Sequence, residues 1–218
     1  MTQYSLDTTD WVLVANCSPK LEKQARRLLA TIARFQHDPG GIHTGTTVDF
    51  GWSTLTLVEK NAKLIICEPD FSRNPLKDIR FDVTCTLAVQ GWQNNLLNKL
   101  GVIGVPCRFR DKVVLAKGCI GVGKVYLERA KGVPRGDSGW YIGPVDNSED
   151  VQCYEAIYVY QLLALRPELM QALMLPPGFL VVFDGSRIDG VLDADNRDIW
   201  PHSEDSGGNI EGGYFSDR

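Results

Sequence analysis

The chain is organised around the stretch Arg135-Gly-Asp-Ser-Gly-Trp140, which leads into Tyr141-Ile-Gly143. Asp137 and Ser138 have short polar side chains that bond to nearby backbone at turns. Gly139 lets another backbone segment pass closely, and Trp140 brings a large apolar surface with one N–H to satisfy. We therefore interpret the stretch as a structural loop pinned at the start of a strand. Direct chemistry by Asp137 and Ser138 is the alternative, and the structural interpretation is favoured because Asp and Ser are common at turns.

Strands and turns are predicted on both sides of this stretch. Two runs at residues 113–119 and 124–129 flank a Gly-rich segment, which predicts a β-hairpin. Pro167 fits the first turn of a helix that ends near residue 173. The other predictions here are strands at 140–143, 154–160 and 179–183, the last strand of the chain, a polar loop at 144–150, a turn-rich segment from 184 and a flexible tail at 203–218.

The first half of the chain also mixes strands with helices. Ser18-Pro19 predicts the start of a helix whose apolar residues recur at spacings of three and four up to Phe35. A second helix is predicted from about residue 83 to Leu100, although its β-branched start allows a strand instead. The predicted strands lie at residues 11–15, 53–59 and 63–67, the last two joined at Lys60-Asn61 as a hairpin, and a loop follows at 68–75.

This order of elements predicts an α+β fold with mixed or antiparallel sheets and a few packed helices. It forms either two small domains or one two-lobed domain. An approximate domain boundary near Asp111 divides the chain into an N-terminal α+β domain of unknown type, 1–112, and a second domain, 113–202. The first domain is either a divergent copy of the second or an unrelated platform.

Charge is distributed unevenly along the sequence. Residues 1–112 hold 14 Lys/Arg against 11 Asp/Glu, whereas residues 113–218 hold 9 against 16. The net charge of −4 argues against general nucleic-acid binding and is compatible with a protein partner that has a basic surface. We expect a cytoplasmic protein, because the first ten residues lack a signal pattern and no apolar run is long enough to span a membrane.

No local motif predicts a cofactor or a metal site. Gly118-Cys-Ile-Gly-Val-Gly123 is followed by an alternating strand rather than the helix that a phosphate loop needs. The six cysteines are scattered singly, which favours reduced, buried thiols. His37 and His43 have no helix-face ligand spacing, and the acids after Asp184 lack the glycine and glutamate of a calcium loop.

Five separated elements carry a family resemblance. They are Tyr126-Leu-Glu-Arg129, Asp137-Ser-Gly-Trp140, Tyr154-Glu-Ala-Ile157, Arg166-Pro-Glu-Leu169 and Leu175-Pro-Pro-Gly-Phe179. Their order resembles a small bacterial domain of immunity proteins from polymorphic toxin systems, in which a tyrosine–arginine strand end precedes a DSGW loop, a pre-helix proline and a proline–glycine turn. The resemblance covers residues 113–195, and Leu127 and Ala130 interrupt the usual tyrosine–arginine–glutamate run.

Two functions follow from these observations. The resemblance implies a non-enzymatic immunity protein that occludes the active site of one cognate toxin, such as a nuclease, deaminase or ADP-ribosyltransferase. The alternative is a small hydrolase in which Asp137 meets an N-terminal carboxylate or His43. Tyr214 is one further candidate anchor for a partner. The main candidate partner-binding residues are Asp184, Asp189, Asp193, Asp195, Asp198 and Trp200.

Overall fold

A computed structural model describes residues 1–146 and 153–201. It contains two six-stranded mixed sheets and a few helices, so the predicted α+β class is confirmed. The described residues form two compact units that divide between Gly91 and Trp92. The domain boundary predicted near Asp111 therefore lies within the second unit. The predicted tail, with His202 and Tyr214, lies outside the described residues.

The first unit is built on a sheet with strand order β1-β2-β5-β4-β3, and β6 pairs with β5. Only β2 and β5 are parallel among these pairs. Its strands are β1 (Thr2–Asp7), β2 (Val12–Cys17), β3 (Thr47–Phe50), β4 (Ser53–Lys60), β5 (Lys63–Pro69) and β6 (Ile79–Arg80). The predicted β4–β5 hairpin is confirmed, but its turn residues are Asn61 and Ala62, both left-handed, one position beyond the predicted Lys60-Asn61.

Helix α1 (Glu22–Arg34) follows a 3₁₀ turn at Pro19–Leu21. Its apolar residues at three- and four-residue spacing are all buried: Ala25, Leu28, Leu29 and Ile32. The predicted helix is therefore confirmed. The Ser18 side chain makes no capping bond; instead, the Ser18 amide donates to Thr84 Oγ1 at 2.9 Å. Ser18 is nevertheless the N-cap residue of the 3₁₀ turn, with Pro19 directly after it, so the predicted helix start is confirmed in position.

Two acidic side chains accept hydrogen bonds from amides in the first turn of helix α2 (Thr84–Leu100). The Thr84 amide donates to Asp82 Oδ1 at 2.7 Å, and the Thr86 amide donates to Glu68 Oε2 at 2.7 Å. These carboxylates satisfy amides that have no partner inside a helix. Glu68 is fully buried, and this burial raises its pKa to about 8. The ambiguous β-branched start at residues 84–86 is thus helical.

The second unit contains the sheet β10-β7-β9-β8-β11-β12. Its strands are β7 (Lys112–Ala116), β8 (Lys124–Arg129), β9 (Asp137–Pro144), β10 (Tyr154–Tyr158), β11 (Leu180–Asp184) and β12 (Arg187–Leu192). The hairpin predicted from β7 and β8 is wrong, because β9 lies between them, parallel to β7 and antiparallel to β8. The Gly-rich segment between them instead forms a 3₁₀ turn at Cys119–Gly121.

Two further predictions in the second unit need correction. The predicted helix at 164–173 is short helix α3 (Leu162–Leu165) followed by a 3₁₀ segment at Pro167–Ala172. The break falls at Arg166, which has φ −161° because a residue before proline avoids the helical conformation. Residues 179–183 are not the last strand: β12 follows β11 within the segment that we predicted to be turn-rich.

Candidate protein-binding surface

The DSGW side chains at the start of β9 are bonded to neighbouring backbone. Asp137 Oδ1 accepts the Gly139 amide at 2.8 Å. The Ser138 hydroxyl donates to the Lys112 carbonyl at 2.6 Å and accepts the Trp140 amide at 3.1 Å. Ser138 thereby joins the first residue of β7 to β9. These contacts agree with the structural interpretation of the motif.

Gly139 and Trp140 continue the same packing. Gly139 has φ +79°, and an added Cβ would lie 2.9 Å from the Ala130 carbonyl oxygen. Both the left-handed conformation and the close approach require glycine. Trp140 is 1% exposed, and its Nε1 donates to the Leu173 carbonyl at 3.0 Å. The motif therefore connects β9 to the segment that precedes β11.

Arg129, at the end of β8, connects the motif to the surrounding loops. It is 5% exposed, and its guanidinium lies 5.7 Å from the Trp140 ring centroid. Its five N–H···O contacts run to backbone carbonyls of Val105, Pro106, Ser138, Leu173 and Leu175. Burial lowers the pKa of Arg129, yet a guanidinium stays charged in proteins. A planar donor group with several N–H bonds holds these segments together.

The predicted acidic residues fall into two groups. Asp184 and Asp189 belong to the β11–β12 hairpin, where Asp189 Oδ2 lies 2.7 Å from Lys124 Nζ. Asp193 lies beyond the other end of β12 and accepts the amides of Asp195 and Arg197. These two backbone bonds and Arg197 lower the pKa of Asp193. The segment is therefore a folded loop with internal partners for part of its charge.

Trp200 and Asp198 end the described part of this segment. Asp198 Oδ1 accepts the Trp200 amide at 2.9 Å, and Lys99 Nζ lies 3.7 Å from the Trp200 ring centroid. This contact fixes the indole to the last turn of α2. Trp200 is half-buried, so part of it stays available for a partner.

A row of tyrosines lies on the exposed face of the second sheet and was not predicted from the sequence. Tyr126, Tyr141 and Tyr154 lie on different strands, with ring centroids 5.7 Å and 6.0 Å apart along the row. Tyr158 shares the Tyr154 side of β10, because both have the outward-facing parity of that strand. We call these four residues the tyrosine face. The alternation within residues 124–129 predicted a strand that contains Tyr126. The sequence did not show which strands pair with it.

The two faces of this sheet differ sharply in exposure. On the tyrosine face, Tyr154 is 63% exposed, and Tyr126 and Tyr141 are partly exposed. The opposite face carries nine side chains that are at most 1% exposed: Val113, Leu115, Val125, Leu127, Trp140, Ile142, Val181, Phe183 and Val191. Burial and the neighbouring tyrosines raise the pKa of Tyr141 to about 12. The tyrosine face is thus an aromatic surface that solvent reaches, backed by a packed core.

A known domain family matches the unit that carries this surface. The Imm33-like domain matches residues 92–201, about half of the chain. The chain belongs to the Imm33-like family. This name is that of an immunity-protein family, so the resemblance to immunity proteins is confirmed at that level. That the DSGW residues are the family's motif stays a prediction. No curated protein and no solved structure matches the chain.

The remaining sequence predictions for this Imm33-like protein concern its cysteines, metal binding and membrane spans. Five cysteines are buried, Cys153 is exposed, and all six are free thiols. In residues 1–146 and 153–201, no group of three or more His, Cys, Asp or Glu side chains is placed to hold a metal ion. No helix in this described part is long and apolar enough to cross a membrane.

Proposed function

We propose that this Imm33-like protein is a cytoplasmic immunity protein that binds one cognate bacterial toxin and neutralises it by covering its active site. The observation that carries the proposal is the coincidence of the Imm33-like match with the unit that presents the tyrosine face. A nuclease, a deaminase or an ADP-ribosyltransferase domain is a suitable partner, since occlusion requires no catalytic group on the inhibitor.

The tyrosine face has the physical properties that such inhibition needs. Tyrosine rings supply large contact areas at low conformational cost and are enriched among the residues that dominate binding energies. The rings of Tyr126, Tyr141 and Tyr154 already contact one another in a row, so docking orders few side chains. The rigid strands behind them are held by the Arg129 and Trp140 contacts.

The acidic segment is a second candidate surface within the same function. Asp184, Asp189, Asp193, Asp195, Asp198 and Trp200 would meet a basic cleft of the toxin and steer its approach. Asp195 and Asp198 are more exposed than Asp193, which accepts two amides of its own loop. Charge reversal at Asp195 and Asp198 distinguishes this surface from the tyrosine face.

The test is a titration against the toxin encoded by the gene next to the one for this chain. We expect a one-to-one complex that abolishes the toxicity of that protein. Tyr154→Ala should weaken the complex by about 30-fold, which corresponds to about 2 kcal/mol for a central aromatic anchor. Leu165→Ala is the matched control, because Leu165 is also half-exposed, at 50%, but lies in α3. Absence of a complex, together with substrate turnover by the protein alone, would contradict the proposal.

A further inference from the structure

The end of the second sheet where β9 begins with the DSGW residues carries a concentration of basic side chains. Residues 108–112 and 130–137 contain five Lys/Arg and two Asp, although the whole chain has a net charge of −4. Four of these cations are exposed, and we call them the basic end: Arg110, Lys112, Lys131 and Arg135.

Backbone hydrogen bonds hold these residues in one place. The Lys112 amide donates to the Gly136 carbonyl at 3.0 Å, which joins the loop containing Arg135 to the start of β7. On the other side of the same segment, the Val159 amide donates to the Asp111 carbonyl and the Tyr160 amide donates to the Phe109 carbonyl. Three chain segments therefore meet at the basic end.

The acids within this region are occupied with backbone. Asp111 Oδ2 accepts the Arg108 amide at 2.7 Å, and Asp137 Oδ1 accepts the Gly139 amide at 2.8 Å. Both carboxylates thus stabilise the loops, and both are less exposed than the four cations. The exposed charge of residues 108–112 and 130–137 is consequently positive, although the exposed Asp195 belongs to the loop after β12 at the same end of the sheet.

Aromatic side chains adjoin the cations. Tyr158 is the register partner of Lys112, and its ring stacks on that of Tyr160 with centroids 5.6 Å apart. Tyr158 also belongs to the tyrosine face, so the basic end is continuous with that surface. Arginine and tyrosine together are the residue types that protein interfaces favour.

We infer that the basic end recognises an acidic surface on the toxin and orients it across the tyrosine face. This inference rests on the proposed function and specifies the chemistry of the partner: a protein with a cluster of Asp and Glu beside its active site. A protein is favoured over a nucleic acid because the acidic residues of the β11–β12 hairpin and of the chain as a whole repel a long polyanion.

The test compares two double charge reversals in binding to the neighbouring-gene toxin. Arg110→Glu with Arg135→Glu changes the basic end, whereas Lys117→Glu with Arg187→Glu makes the same change in net charge elsewhere in the unit. Lys117 directly follows β7, at the end of that strand opposite Lys112. We expect about 100-fold weaker binding for the first pair at low salt, mainly through slower association, and at most about threefold for the second. The difference should shrink at high salt because exposed charges are screened.

The outcomes separate the two claims. If wild-type protein binds the toxin and both double variants bind equally well, the basic end is not the recognition site and the immunity function stands. If wild-type protein does not bind the toxin, both claims fail. A single-stranded RNA of about 20 nucleotides serves as the second probe. RNA binding at physiological salt that is lost in the Arg110→Glu, Arg135→Glu variant would overturn the assignment to a protein partner. Circular dichroism confirms that all variants are folded.

Discussion

Replacing Arg129 by methionine tests the claim that the DSGW region is a structural centre. Methionine keeps much of the buried length of the side chain but removes every N–H donor. The carbonyls of Val105 and Pro106 are at exposed residues, so water can replace the guanidinium there. The carbonyls of Ser138 and Leu175 are at buried residues and would lose their bonds of 3.1 and 2.6 Å. At about 1–3 kcal/mol for each buried unsatisfied acceptor, the free energy of unfolding should fall by about 4 kcal/mol.

Urea denaturation followed by tryptophan fluorescence measures this loss. Arg135→Met is the control, because Arg135 is an exposed arginine in the loop that leads to the motif, and its change should stay within about 0.5 kcal/mol. Hydrogen exchange should localise the effect to the amides of β8 and β9. Arg129→Lys should rescue only part of the loss, since one ammonium cannot reach carbonyls on so many segments. A loss below about 1 kcal/mol for Arg129→Met would refute the reasoning.

Two further predictions concern stability. Burial raises the pKa of Glu68 to about 8, so folding favours its protonated form. The stability that this proton contributes is complete below the unfolded pKa of about 4.3 and is lost as the pH rises through about 8. The free energy of unfolding from urea denaturation should therefore be about 3 kcal/mol higher at pH 5.5 than at pH 8.5 in wild type, and the difference should be much smaller in Glu68→Gln. Equal pH dependence in both proteins would contradict this. Gly139→Ala should cost about 3 kcal/mol, and Gly136→Ala, at φ +90° with open space around it, only about 1 kcal/mol. Thermal melts of equal midpoint would argue against the close contact with the Ala130 carbonyl.

The sequence was most informative where local periodicity and burial agree. The spacing of Leu28, Leu29 and Ile32 predicted α1, and it also describes the buried side of that helix. The strand-forming residues at 53–59 and 63–67, with a turn between them, predicted the β4–β5 hairpin. In both cases the partners are close along the chain, so pattern and pairing carry the same information.

Long-range pairing was the main source of error. The apparent β7–β8 hairpin failed because β9, with its nearly continuous buried pattern, enters between the two strands. Strand β12 was missed because Asp189 and Gly190 resemble turn residues, although the strand pairs along β11. Edge strands β1 and β3 are mostly exposed and polar, so they lack an apolar signal.

In the candidate site as well, contacts between residues close in the chain were predictable and long-range contacts were not. The bonds from the Gly139 amide to Asp137 and from the Trp140 amide to Ser138 were predictable because each joins residues two positions apart. The bond from the Ser138 hydroxyl to the Lys112 carbonyl spans 26 residues and was not. The role of Arg129 was not predictable either, since four of its five carbonyl partners lie 23–46 residues away along the chain. The tyrosine face also required the order of strands, because Tyr126, Tyr141 and Tyr154 become neighbours only in the folded sheet.

The most direct test of the immunity function is a titration of the purified chain against the toxin encoded beside it, with toxin activity as the readout. For an immunity protein, toxin activity should fall linearly with added protein and reach zero at one equivalent. Unchanged toxin activity at a large excess of the folded chain would contradict it.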